Sequence, residues 1–254
     1  MKIFLIANSF GLDSSAWLWN VLRDAGMENV TVAVAYIGGC SLDRHWDNMQ
    51  SGSREYEYHK NVDGTFRITR DISLLEMLTD EHWDIITLQQ AGNRHAKAEN
   101  FARLDEVVGW VNAHKTNPDA KIWYNMVWPY SSASQDTVFL HQHEQDCEKM
   151  YDAIELRVRQ IVAPSGWFAG IIPSGAAIQY LRHSHLTEAD LYRDELHLSY
   201  SYGRYTVALV WYAKLFGGDV TKIRWIPKEF EALSKELPLI YRAVDHALQF
   251  VNDL

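Results

Sequence analysis

The sequence predicts an α/β protein, a three-layer α/β/α sandwich around a doubly wound parallel sheet of about five strands, with a small hairpin inserted between two of its units. Three observations carry this expectation. Short apolar runs of strand length recur along the chain, continuous rather than alternating, as strands buried on both faces read. Segments of helical period separate them, and the first three runs are followed by Asn-Ser, Gly-Gly and Gln-Gln rather than further apolar residues.

The first run, 2–7, has no room for a helix before the polar break at Asn8-Ser9, so Ser9 sits where a strand hands over to a helix. Ligands of open α/β sheets gather outside the carboxyl ends of the strands, and a helix N-terminus favours developing negative charge. Asn-Ser after a strand is also an ordinary helix cap, so position alone leaves the role of Ser9 open. A helix is expected over 14–25, ended by Gly26, and a second strand over 30–37 that leads directly into Gly38-Gly39-Cys40-Ser41. Two glycines there permit close backbone approach to a ligand or merely a tight turn.

Over 55–69 the alternation around Val62-Asp63-Gly64-Thr65 reads as a hairpin rimming the cleft, followed by a short helix over 71–79 opened by its Asp. Strands are expected over 83–88, ending in Gln89-Gln90-Ala91-Gly92-Asn93, and over 120–126, ending in Val127-Trp128-Pro129-Tyr130, with an amphipathic helix over 100–114 between them. A long helix over 135–162, a fifth strand over 167–172, a helix beginning after Pro173-Ser174-Gly175, another over 200–216, and a terminal helix from 227 to 251 complete the pattern. No linker, repeat or low-complexity segment divides the 254 residues, which are read as one domain.

Bulk composition narrows the function. A net charge of −9 and no basic run argue against nucleic acid or anionic membrane as partners. No apolar stretch approaches a membrane span and no signal peptide is legible, so the chain reads as cytoplasmic. The two cysteines, Cys40 and Cys147, lack metal spacing and do not suggest a disulfide framework; Cys40 reads as a small buried residue. Dinucleotide and phosphate-loop fingerprints are missing, and no cofactor is expected. His141-x-His143 and His183-x-His185 lack the ligand number of a zinc site, so no metal is expected either. Ten Trp and 13 Tyr are enough to build an aromatic cleft as well as a core.

Near the C-terminus, Asp194 and His197 are three residues apart, so within one turn the carboxylate can hold the imidazole in one tautomer. With Ser9 they supply nucleophile, base and orienter, in the chain order Ser, Asp, His, without a Gly-x-Ser-x-Gly elbow. Asn8-Ser9-Phe10, Gly39, a polar amide after the third parallel strand and Asp194-x-x-His197 together resemble the ordered blocks of the SGNH (GDSL-type) hydrolases. The phrases Gly38-Gly39-Cys40-Ser41-Leu42 with His45-Trp46, Trp128-Pro129-Tyr130, Pro173-Ser174-Gly175-Ala176 and Gly203-Arg204-Tyr205 resemble one bacterial branch of that superfamily, long described only as a domain of unknown function. The similarity spans nearly the whole chain.

The resemblance implies a flavodoxin-like SGNH fold with Ser9 as nucleophile, His197 as base and Asp194 as its orienter. It implies an oxyanion hole of the Ser9 and Gly39 backbone N–H groups and a side-chain amide. Two positions depart from the superfamily pattern. Ala7 stands where a Gly is usual, and Gln89-Gln90 replaces the Gly-x-Asn-Asp block, which makes Gln89 or Gln90 the expected amide donor, with Asn93 behind them. His45, Trp46, Asn93, Trp128 and Tyr130 are candidate substrate contacts, the aromatic ones equally open to core packing. The expected activity is hydrolysis of short acyl esters, foremost O-acetyl groups on a carbohydrate, so the expected partner is a small-molecule or oligosaccharide ester. Transacylase, thioesterase or lipid esterase chemistry with the same triad, or carbohydrate binding without catalysis, are the alternatives.

Overall fold

In a computed structural model describing residues 1–228 and 233–254, one seven-stranded sheet forms the centre of the molecule. Strands β1 (Lys2–Ala7), β2 (Thr31–Tyr36), β5 (Ile85–Leu88), β6 (Lys121–Asn125) and β7 (Ile171–Ile172) are parallel, and β3 (Tyr56–Asn61) and β4 (Phe66–Ile72) are antiparallel. Their spatial order is β4-β3-β2-β1-β5-β6-β7. The five expected parallel strands are therefore joined by two more. The hairpin is not a separate insertion at the cleft: β3 pairs along the free edge of β2, satisfying backbone groups that an edge strand would otherwise leave open.

Every interior residue of β1 from Ile3 to Ile6 is fully buried, which explains the unbroken apolar run. Two helical layers cover the sheet. One consists of α1 (Ser9–Ser15), α2 (Leu18–Asp24), α8 (Ser174–Arg182), α10 (Tyr202–Phe216) and α11 (Leu233–Asn252), which pack on one another; α3 (Leu42–Ser51), α4 (Leu74–Thr79) and α5 (Leu104–His114) pack together as the other. Among the described residues no helix is long and apolar enough to cross a membrane.

The first helix begins at Ser9 rather than Ser14, because the Asn8 side chain caps it by accepting from the Phe10 N–H, and it breaks at Ala16 before α2. Ser73, not Asp71, opens α4, with Glu76 completing a capping box. The expected long helix over 135–162 is α6 (Thr137–Gln142) and α7 (Cys147–Arg157), separated where Glu144 and Gln145 take positive φ and Asp146 caps the second piece. The fifth parallel strand shortens to β7, and a short helix, α9 (Glu188–Leu191), precedes the Asp194 turn. The start of the terminal helix at 227 cannot be followed through 229–232, which lie outside the described residues; from Leu233 the helix runs to Asn252.

Candidate active site

The chain leaves β1 on one side toward β2 and later returns on its other side as β5, so the crevice of this sheet lies beyond the carboxyl ends of β1 and β5. A cleft of about 330 Å³ opens there, bounded by Ser9, Phe10, Gly39, Asn93, Tyr130, Asp136 and His197 among others.

The residues nearest the two ends of the chain meet on its floor. Ser9 Oγ lies 2.8 Å from Nε2 of His197, and the other ring nitrogen, Nδ1, lies 2.9 Å from Asp194 Oδ2 and 3.0 Å from Oδ1. The carboxylate selects the tautomer with the proton on Nδ1, leaving Nε2 free to accept from the Ser9 hydroxyl. A tight turn creates this spacing: Asp194 Oδ1 accepts from the Leu196 and His197 N–H groups, and the Arg193 N–H donates to the His197 carbonyl. Partial burial works against ionisation of Asp194, but the two N–H groups and the imidazole outweigh it and hold the carboxyl below its ordinary value.

An aromatic stack braces the imidazole. Its edge meets Phe10 at 6.0 Å between centroids, Phe10 lies flat on Trp128 at 4.4 Å, and the Trp128 indole N–H donates to the Leu196 carbonyl in the turn that carries Asp194 and His197. Trp128 is fully buried behind Phe10, so it supports the wall instead of touching substrate, whereas Tyr130 lines the cleft.

Asn8 organises the turn that carries Ser9. Its amide nitrogen donates to the Cys40 carbonyl at 3.0 Å, tying the turn after β1 to the Gly38-Gly39 turn after β2. Gly39 has φ +61, which only glycine adopts without cost, and its N–H is used by no hydrogen bond within the described residues. At the start of α1 the Phe10 and Gly11 N–H groups are taken by Asn8, and the Ser9 N–H is used by no hydrogen bond within the described residues. Ser9 and Gly39, the two residues whose backbone N–H groups are expected as oxyanion donors, both border the cleft. Ala7 fits where a smaller residue is usual because residue 11, one helical turn beyond, is Gly: a Cβ there would stand 2.2 Å from that of Ala7.

The two glutamines do not reach this site. Gln89 is buried, donates to Asn8 Oδ1 at 2.8 Å and accepts from Asn125 at 3.1 Å. Gln90 donates to the Asn100 carbonyl and accepts from the Leu42 and Ala91 N–H groups. The assignment of either as a side-chain oxyanion donor is corrected: nonlocal partners on β6 and in the 98–101 turn turn these amides away from the cleft, and Gln89 acts on it by holding Asn8.

Two further expectations are corrected. His45 is fully buried, bonded through Nδ1 to the Tyr56 hydroxyl, and burial drives its pKa down to about 3, so it stays neutral and away from substrate. Trp46 packs against the core and does not border the cleft. His95 is likewise buried on the Gly92 carbonyl, with burial lowering its pKa to about 4. Burial pushes the Cys40 thiol up to about 12, as an inert structural cysteine requires. Among the described residues no group of His, Cys, Asp or Glu has the geometry to hold a metal ion; His183 and His185 instead pair with Glu148 and Glu236 beside a separate groove between α7, α8 and α11.

Sequence reasoning missed the clamp beneath the site. Asp13, on the turn of α1 after Ser9, is fully buried, and its carboxylate receives the guanidinium of Arg193 at 2.8 Å, that of Arg204 at 2.6 and 2.9 Å, and the Leu198 N–H at 2.8 Å. The helix that carries Ser9 is thereby bolted to both sides of the turn that carries Asp194 and His197. Its only sequence signal was an acid inside an otherwise apolar helical face, together with the Arg of Gly203-Arg204-Tyr205.

A family profile described as Domain of unknown function (DUF4886) matches residues 2–244. The crystal structure of a DUF4886 family protein from Bacteroides uniformis superimposes with a TM-score of 0.86 at 30% identity, covering 97% of this chain and 92% of that one. A catalytic mutant of an acetylxylan esterase from Geobacillus stearothermophilus superimposes with a TM-score of 0.57 at 12% identity, over 86% of this chain and 95% of that one. A protein from Slackia heliotrinireducens described as a candidate SGNH hydrolase gives 0.51 at 22% identity, over 83% and 96%. No curated protein matches the sequence.

Proposed function

Since the chain belongs to the DUF4886 family and has the fold of the SGNH-type hydrolases, we propose that it is a serine ester hydrolase acting through Ser9, His197 and Asp194. The observation that carries this reading is the 2.8 Å contact between Ser9 Oγ and Nε2 of a histidine whose other ring nitrogen lies 2.9 Å from a carboxylate oxygen.

In the proposed reaction His197 Nε2 takes the hydroxyl proton as Ser9 Oγ attacks the ester carbonyl. The carbonyl oxygen becomes an oxyanion, met by the Ser9 and Gly39 N–H groups, while Asp194 stabilises the imidazolium. Collapse expels the alcohol, which leaves with the proton from Nε2. Water then enters, gives its proton to His197 and attacks the acyl-serine, and release of the carboxylic acid restores Ser9.

A short acyl group, foremost acetyl, is the proposed acyl half. The cleft supports this: at about 330 Å³, with Asn93 and Asp136 among its walls, it is small and partly polar, which suits a short acyl group. A carbohydrate is the proposed alcohol half, supported by the mixed aromatic and polar lining and by the acetylxylan esterase among the structures of the same fold. The test is release of acetate from p-nitrophenyl acetate and from acetylated oligosaccharides. Ser9→Ala should abolish both while leaving the melting temperature unchanged, and retained turnover by that variant would remove Ser9 from the reaction.

A further inference from the structure

Beside the triad the cleft contains an acid that the hydrolytic steps do not use. Asp136 lies at the start of α6, where Oδ1 accepts from the Val138 and Phe139 N–H groups, at 2.9 and 3.1 Å, and Oδ2 accepts from Asn93 Nδ2 at 3.0 Å. Three donors fix the carboxylate, yet a carboxylate has about four acceptor positions, so one is left without a donor at a residue that borders the cleft. The amide oxygen of Asn93 also makes no hydrogen bond within the described residues, and the hydrogen bond to Asp136 anchors its amide. Across the cleft the Tyr36 hydroxyl makes none either. The remaining walls are the rings of Phe10 and Tyr130 and the half-buried Leu196.

We propose that Asp136 and Asn93, with Tyr36 opposite, form a subsite for neighbouring hydroxyl groups on the alcohol half of the ester. The proposal rests on the esterase reading and deepens it, naming Asp136 as the specificity-determining residue. Two fixed acceptors joined by one hydrogen bond present lone pairs at the spacing of a vicinal diol, and a carboxylate accepts from hydroxyls more strongly than a neutral oxygen does. Apolar rings beside them suit the carbon face of a pyranose. The same charge disfavours a phosphate or carboxylate at this position, so the preferred alcohol is a neutral polyol.

The experiment compares kcat/KM for a mono-O-acetyl methyl pyranoside, which has free hydroxyls, with that for p-nitrophenyl acetate, which has none. In Asp136→Asn, which keeps an oxygen to cap α6, the ratio of the two should fall by about 10- to 100-fold, as expected for losing a charged partner of a hydroxyl. Asn93→Ala should lower the same ratio by a smaller factor. An unchanged ratio in Asp136→Asn overturns the subsite. Binding of the acetyl pyranoside to Ser9→Ala protein, followed by saturation-transfer NMR, tests the subsite without turnover. Signal that vanishes when Asp136→Asn is added supports it, and no signal, or signal indifferent to Asp136, contradicts it. Failure of wild-type protein to cleave either ester would instead refute the esterase reading.

Discussion

Asp13→Asn should be the most damaging single-atom-scale change outside the triad. The side chain keeps its shape but loses its charge, and Arg193 and Arg204, only 22% and 16% exposed, are left facing a neutral amide at a position that is itself fully buried. Breaking a buried ion pair by removing one partner costs about 3–5 kcal/mol, because the surviving charge has no compensation. For a domain of this size each kcal/mol shifts the midpoint by roughly 2–4 °C, so the variant should melt about 6–20 °C below wild type. The same four hydrogen bonds fix the turn of His197 against the helix of Ser9, and a displacement of about 1 Å between reacting groups costs on the order of 10²-fold in rate. The assay is a thermal melt followed by p-nitrophenyl acetate turnover well below the lowered midpoint. A melting temperature within about 2 °C of wild type, with full kcat, would refute the clamp and with it the reason these distant segments meet.

Asp194→Asn should lose far more activity than Glu195→Gln, because Glu195 is turned to the Gln135 N–H and not to the imidazole; equal losses in kcat would mean the orienter is misassigned. Because the folded carboxyl of Asp194 is held below its ordinary value, its contribution to stability is present above the unfolded pKa of about 3.9 and is lost as pH falls through the lowered folded value. The gap in melting temperature between wild type and Asp194→Asn should therefore be full at neutral pH and close on acidification below about pH 4, and it should be modest because the side chain is half exposed; a gap that widens in acid would contradict this sign. Gln89→Leu should destabilise the fold by roughly 2–4 kcal/mol in denaturant melts, since Asn8 and Asn125 each lose a buried partner. An oxyanion donor would behave differently, losing about 10²–10³ in kcat at unchanged stability.

What could be read from the sequence followed local signals. The apolar runs of β1, β2 and β5 end in polar or glycine residues, and those ends are where the cleft opens. Asp194 and His197 were legible because their spacing lies within one turn. The glutamines were recognised as amides placed after the right strand, but their direction depends on Asn125 and Asn100, which no local pattern reveals. Asp13 hid for the same reason, its partners being 180 and 191 residues away. The break between α6 and α7 was missed because Glu144 and Gln145 are good helix formers held in positive φ by the surrounding fold; the cap Asp146 was the available clue. The hairpin was legible as a hairpin, but its pairing with β2 depended on a free sheet edge that alternation alone does not disclose.

The central claim is that the hydroxyl of Ser9 is made nucleophilic by His197. The most direct measurement is intact-protein and peptide mass spectrometry after exposure to a fluorophosphonate. The account predicts a single adduct on the peptide containing Ser9, formed by wild type and lost in His197→Ala. No adduct on the folded wild-type protein, or an adduct on a different residue, would contradict it.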